Sequence, residues 1–366
     1  MSIIGRVLTA LLAPLVAVVA ATVITSVVIA ASGSDPADFW EIIFSAPADR
    51  VYVNIVNQSS MIFLAALAAA IGFRMNLFNI GVEGQYTVAS YVGALVAGAA
   101  IFPGLLNVFV TILVAMLAGA AWAGIAGVLK VTRGVSEVIS TIMLNAIGVT
   151  LVGYFLNKYG ERLGNGRRTT VIPESSQLAG WTPFAERDGA IWTLALLAVV
   201  AGIAFSVLLN RTRFGFDLRA TGMSETAAVA SGVKVSRMVV ISMMLSGAIA
   251  GLIWLPALFG SAHSYGTSFQ AGLGFTGIAV ALLGRNRPLG IMFGAVLFAF
   301  LNEQSNRLSL ETDISQDIVQ ITQGVIVLAV VVAYEVVRRY KVRAEQRNVR
   351  QRLDAEKRSS GEAVSA

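Results

Sequence analysis

The sequence predicts an all-α integral membrane protein of about ten transmembrane helices in two inverted five-helix halves, with interrupted helices near residues 76–86 and 268–284. Three observations carry this prediction. The 366 residues are 56% hydrophobic and only 13% charged, with a mean hydropathy of +0.74; a soluble domain carries about 25% charged residues. Apolar runs recur at close to the ~20 residues a helix needs to cross the hydrocarbon core. Two of the runs are broken by glycine and polar residues, at corresponding places in the two halves.

In order, the runs cover 7–31, 54–73, 76–101, 105–129, 136–157, 190–210, 238–259, 267–284, 288–304 and 318–337. The first follows Arg6 and ends at Ala30-Ala31-Ser32, so a cleaved signal peptide is its rival reading; a signal core is typically about 7–15 apolar residues, which favours a retained span. The fifth opens at Glu137, where a carboxylate suits the positive end of the helix dipole. It carries Asn145 in mid-span, which either bonds a neighbouring helix or lines a pathway, because an unpaired buried amide is costly. The seventh and ninth hold Gly247…Gly251 and Gly290…Gly294, and the fourth holds Ala118-Gly119…Gly124. Such surfaces let helices pack closely, and internal packing is their expected use, with a dimer interface as the alternative. The third and eighth runs are the weakest; the eighth contains Gly272, Gly274 and Gly277.

An even number of spans puts both termini on one side. Lys and Arg mark that side as cytoplasmic: it receives 20 of the 27 basic residues, nine of them in the tail after Val337. The net charge of +6 is thereby explained by membrane orientation and contact with anionic lipid rather than by nucleic-acid binding. The chain then reads as a first membrane half (1–157), an external loop (158–189), a second half (190–337) and a basic cytoplasmic tail (338–366). The external loop carries Pro173, Trp181 and Pro183 and reads as a folded surface element, either a solvated connector or a docking site for a solute-delivering protein. The second half includes a cytoplasmic loop, 211–237. In that loop Ser224 can cap a helix starting near Glu225, and Gly232 can end it. The expectation is a short exposed helix whose small residues, Ala227 and Ala228 among them, form either a docking knob or a face packed on the chain's own spans. On the docking reading, Ala228→Arg uncouples the docked partner from this chain with folding intact.

The stretch Gly72-Phe-Arg-Met-Asn-Leu-Phe-Asn-Ile-Gly-Val-Glu-Gly-Gln85 is the most informative. Arg74, Asn76, Asn79, Glu83 and Gln85 lie among Gly72, Gly81 and Gly84, between two apolar runs. Broken backbone at membrane depth survives only inside protein or beside water, so the stretch reads as part of a permeation path. Glu83 has three readings: neutralised by Arg74, carrying protons, or bracing a broken helix. There is no cysteine and one histidine, His263, so Cys-based metal sites and thiol nucleophiles are excluded. With no phosphate-binding loop or catalytic motif in the sequence, the chain is expected to be a transport subunit without cofactor, not an enzyme.

Phe78-Asn-Ile-Gly-Val-Glu-Gly-Gln85 resembles the signature of bacterial ABC importer permeases of the branched-chain amino acid and simple-sugar superfamily, most of all the branch associated with nucleoside and simple-sugar uptake. Val135–Asn145, Arg219–Gly232 and Phe275–Arg285 are similar to further motifs of that family. The resemblance covers most of 55–337. It implies a multi-pass permease in the bacterial inner membrane that pairs with a second permease, commonly a different one. It also implies a cytoplasmic ATPase carrying ATP and Mg, and an external solute-binding lipoprotein. By matching motifs, Asn79, Gly81, Glu83, Gln85 and Asn145 become pathway candidates, and Arg219, Gly222, Ala227, Ala228 and Gly232 become ATPase-coupling candidates. The expected solute is a nucleoside; a simple-sugar permease or an ion-coupled secondary transporter are the alternatives.

Overall fold

The computed structural model describes residues 3–185, 189–312, 315, 317–333, 335–337, 339 and 346. The basic tail therefore lies almost wholly outside the described residues. The chain divides into two units, Ile42–Arg307 and the terminal stretches Met1–Glu41 with Leu308–Ala366. The terminal unit contains α1 (Ile3–Ala31) and an apolar helical stretch, Asp317–Val337. It also holds most of the short helix α2 (Pro36–Phe44), where the Trp40 indole donates to Ser26 Oγ at 2.9 Å.

The larger unit is built on α3 (Asp49–Arg74), α4 (Val82–Ala99), α5 (Gly104–Arg133) and α6 (Glu137–Tyr159) in its first part. α7 (Leu196–Arg211), α8 (Arg213–Met223), α9 (Glu225–Ala230) and α10 (Val235–Ala250) follow. The last elements are a single turn, α11 (Leu255–Ala257), then α12 (Leu273–Leu283) and α13 (Pro288–Glu311). α3 packs on α12, α10 and α7, and α5 packs on α10 and α4. Among the described residues six helices are long and apolar enough to cross a membrane, which makes the chain an all-α multi-span membrane protein. α12 is a different case. Its 11 residues rise about 16 Å, against a hydrocarbon core of about 30 Å.

The interruption expected near residues 76–86 falls at 75–81, which are loop, and α4 starts at Val82. Three other readings change. The interruption expected near 268–284 falls at 263–272, because α12 runs unbroken over Leu273–Leu283. The seventh run, expected to be continuous over 238–259, breaks after Ala250 into turns, α11 and a π-helical turn over Leu258–Ala262. Pro256 has no N–H to give the preceding turn, which explains a break there. The loop 211–237 holds two helices rather than one, because Thr212 Oγ1 accepts from Gly215 N at 3.1 Å and starts α8.

The loop of residues 158–189 is folded in its described part. Strands β1 (Glu161–Leu163) and β2 (Gly166–Arg168) form an antiparallel hairpin. The chain beyond it hydrogen-bonds to the segment after the π turn, Thr169 N to Tyr265 O at 2.8 Å and Ile172 N to His263 O at 2.8 Å. Burial lowers the His263 pKa below its ordinary value.

The small-residue surfaces are internal. A Cβ on Gly119 or Gly247 would run into the backbone of the other, so α5 and α10 meet backbone to backbone. Gly247→Val is therefore expected to lower the detergent-solubilised melting temperature sharply, overpacking costing about 1–3 kcal/mol or more. Gly153→Ala meets nothing within 4 Å and should be neutral or slightly stabilising by thermal unfolding. Equal effects of the two substitutions would contradict the packing account.

Candidate functional site

The signature stretch begins where α3 ends. Leu77 N donates back to Gly72 O at 2.9 Å, which turns the chain. Asn79 then sits at 0% exposure with all of its amide valences used. Its Nδ2 donates to Gln85 Oε1 (3.1 Å) and Ser246 Oγ (2.7 Å); its Oδ1 accepts from Gly81 N (2.9 Å) and Gln85 Nε2 (2.9 Å). Ser246 of α10 passes its own proton to the Ala68 carbonyl of α3 at 2.6 Å. One side chain thus ties the loop, α4, α10 and α3 together.

Asn145 performs a similar task from α6. Its Oδ1 accepts from Gly84 N (2.8 Å) and its Nδ2 donates to Ile80 O (2.8 Å), satisfying an N–H of the first turn of α4 and a carbonyl of the loop. The contact is close because residue 84 is glycine; a Cβ there would lie 2.7 Å from Asn145 Cα. Glu137, at the start of the same helix, pairs with Lys130 Nζ at 2.6 Å and faces Phe78 N at 3.5 Å.

Glu83 and Arg74 do not pair. They hold the two ends of α12. Glu83 Oε1 accepts from Gly272 N at 2.7 Å and Oε2 from Gly274 N at 2.9 Å, so the carboxylate caps a helix that has no side-chain cap of its own. Gly272 is the N-cap with φ +93°, a conformation that favours glycine. Gly274 lets α12 touch the α4 backbone at Glu83 itself. Arg74 Nε and NH2 donate to Asn286 O at 3.0 and 2.8 Å, just past the other end. An anion at the N-terminus and a cation at the C-terminus both oppose the helix dipole, each contributing up to ~2 kcal/mol in a favourable partly buried setting. The two bonds to Glu83 are charge-assisted, about 1.5–3 kcal/mol each. Together these terms are comparable with the several kcal/mol effective cost of burying one ion.

The helix α9 is capped as read: Ser224 Oγ accepts from Ala227 N at 3.3 Å, and Gly232 takes φ +85° just after the end. Ala227, Val229 and Ala230 are exposed, but Ala228 is 2% exposed and turned inward. Arginine at 228 would disrupt folding rather than report on docking alone, which corrects the expected use of that position. Arg219 and Gly222 lie on α8, upstream of the exposed face. A Cβ on Gly222 would strike the Arg74 carbonyl, so the end of α8 rests directly on the end of α3.

Sequence reasoning missed an aromatic cluster beside Glu83. Tyr86 stacks on Phe269 (5.3 Å between centroids), and Trp254 and Tyr265 pack on Phe269 at 5.3 and 4.5 Å, with Tyr91 against Tyr265 at 5.6 Å. Tyr86 has one proton to give; Gln270 O at 2.8 Å is nearer than Glu83 Oε1 at 3.3 Å. Four aromatic residues within residues 254–269 of a broken span, Trp254, Phe259, Tyr265 and Phe269, were the available signal.

Residues 51–333 match the family described as branched-chain amino acid transport system / permease component. A guanosine ABC transporter permease protein, NupP of Bacillus subtilis, is 31% identical over 89% of this chain and 94% of its own length. A nucleoside ABC transporter permease protein, NupB of Lactococcus lactis, is 28% identical over 88% and 91%. A glucose ABC transporter permease protein, TsgB13 of Haloferax volcanii, is 28% identical over 90% and 89%.

Glu83→Ala leaves two N–H groups without an acceptor, at about 1–3 kcal/mol for each buried orphan. It should cost more thermal stability than Glu83→Gln, which keeps one carbonyl acceptor, and Asn145→Ala should cost a comparable amount. A Glu83→Gln protein of native stability that has lost only a response to the proton gradient would instead favour the proton-carrying reading.

Proposed function

Since the chain belongs to the family of branched-chain amino acid transport system permease components, we propose that this ABC importer permease subunit carries nucleosides. The observation that supports the solute is the 31% identity, over nearly the full length of both chains, to a guanosine permease. A simple sugar is the second reading, favoured by the 28% identity to a glucose permease over 90% of this chain. The hydrogen bonds that both oxygens of Glu83 accept from Gly272 N and Gly274 N support a bracing role for this carboxylate over the ion-coupling role of the alternative reading.

In this reading the chain crosses the bacterial inner membrane ten times in two inverted halves, with both termini cytoplasmic. It pairs with a second, different permease subunit. ATP and Mg sit on a separate cytoplasmic ATPase, and an external lipoprotein delivers the solute. The ATPase docks on the exposed residues of α9. Closure of the ATPase pushes α9 and α8, and Gly222 passes the movement to the end of α3, where the signature loop begins. Asn79, Gly81, Gln85 and Asn145 then form the frame around which the pathway opens, and Glu83 keeps α12 attached to that frame. Arg219 and Gly232 shape the coupling segment, and Ala228 anchors it from inside. Spare hydrogen-bonding groups without a counter-charge suit a neutral, hydroxyl-rich solute.

Two measurements test this. Uptake of labelled guanosine by cells expressing the whole importer should exceed uptake of glucose and should require the ATPase; the opposite preference would establish the sugar reading. Val229→Arg, at a position 61% exposed, should leave the protein in the membrane but abolish co-purification of the ATPase and ATP-dependent uptake. Normal transport by that variant would end the docking role of α9.

A further inference from the structure

Residues 264–271 lie between the π turn and α12 and are not needed to hold the frame. The segment starts at the external loop, where Tyr265 N donates to Thr169 Oγ1 at 3.0 Å and Gly266 lies against Arg167 and Arg168 of β2. Six residues after Gly266, Gly272 N meets Glu83. α12 runs from there beside α3, Gly277 against Ala65 and Ala66, to Asn286 at Arg74. The non-helical chain therefore descends from the external surface to about mid-depth of the bundle.

Its polar groups are only partly used. Phe269 N donates to Gly266 O at 3.1 Å, and Gln270 O accepts from Tyr86. Among the described residues, the N–H groups of Ser268, Gln270 and Ala271, the hydroxyl of Ser268 and the carboxamide of Gln270 have no partner. Ser268 and Ala271 are exposed, and Phe269 and Gln270 are half-exposed. Irregular backbone with unpaired polar groups does not face lipid; this surface faces water. Behind it stand the rings of Tyr86, Trp254 and Tyr265, which hold Phe269 in place. Tyr265 and Tyr91 are 5% and 6% exposed, and their hydroxyls also lack a partner among the described residues. An immobilised ring beside free amide and hydroxyl groups is what a planar, hydrogen-bonding heterocycle requires.

We propose that residues 268–271 line the outer half of the solute path and touch the solute, with Phe269 stacking on a nucleobase and the Gln270 carboxamide hydrogen-bonding to it. The base-stacking part rests on the nucleoside reading; the water-lined face does not.

The chain has no cysteine, so single cysteines report without background. In cells expressing the whole importer, Ser268→Cys, Gln270→Cys and Ala271→Cys should react with an external, membrane-impermeant maleimide. Phe293→Cys, on an apolar face of α13 and 70% exposed, should not. Guanosine should slow labelling of Gln270→Cys, and Gln270→Ala should lower guanosine uptake about five- to tenfold, the size of one lost hydrogen bond. Three cysteines as inert as Phe293→Cys would overturn the proposal. So would labelling indifferent to guanosine in an importer whose parent chain carries guanosine. Protection by glucose alone, with no guanosine uptake by the parent chain, would overturn base stacking together with the nucleoside reading and leave the water-lined face standing.

Discussion

Glu83 and Arg74 belong to one short stretch of chain, yet they grip opposite ends of a helix some two hundred residues away. α12 is too short to cross a membrane and carries no side-chain cap of its own. In hydrocarbon its free N–H and C=O groups would be intolerable, since each unsatisfied group costs several kcal/mol. The carboxylate at one end and the guanidinium beyond the other satisfy part of that demand and oppose the dipole at the same time. Everything else in the signature loop serves to hold these two charges in position. Asn79 and Gln85 lock the turn, Ser246 ties it to α10, and Asn145 fastens the first turn of α4 to α6.

The remaining contacts are made by leaving side chains out. Lipid offers helices no hydrophobic reason to associate, so close packing and polar bonds must do it. Gly119 and Gly247 bring α5 onto α10, Gly84 brings α4 onto α6, and Gly274 brings α12 onto α4. Gly222 does the same for α8 on α3 and so joins the helices of the 211–237 loop to the polar frame. The polar frame is over-determined by hydrogen bonds.

Much of this was legible in the chain. Run length and hydropathy mark the spans because bilayer thickness sets their length. Ser224 and Gly232 mark α9 because caps are local chemistry. The break at residues 75–81 was announced by polar residues among glycines; the second, expected near 268–284, begins earlier, at 263–272, because Gly274 and Gly277 lie inside α12 as close-packing positions. The break after Ala250 was not announced, because Gly251 and Pro256 sit in an otherwise apolar run where membrane helices often tolerate such residues. The start of α8 at Thr212 was equally local and could have been read from its cap.

Composition and pattern alone therefore determined that the chain is a membrane protein of many helices and where the first of them is interrupted. These are properties of single segments in their solvent. Tertiary structure decided that Glu83 caps α12 instead of meeting Arg74, that Ala228 points inward, and that Phe269 is backed by three rings around an unpaired segment. Each of these depends on which distant residues share a depth and a face, and periodicity within one segment carries no information about its partner.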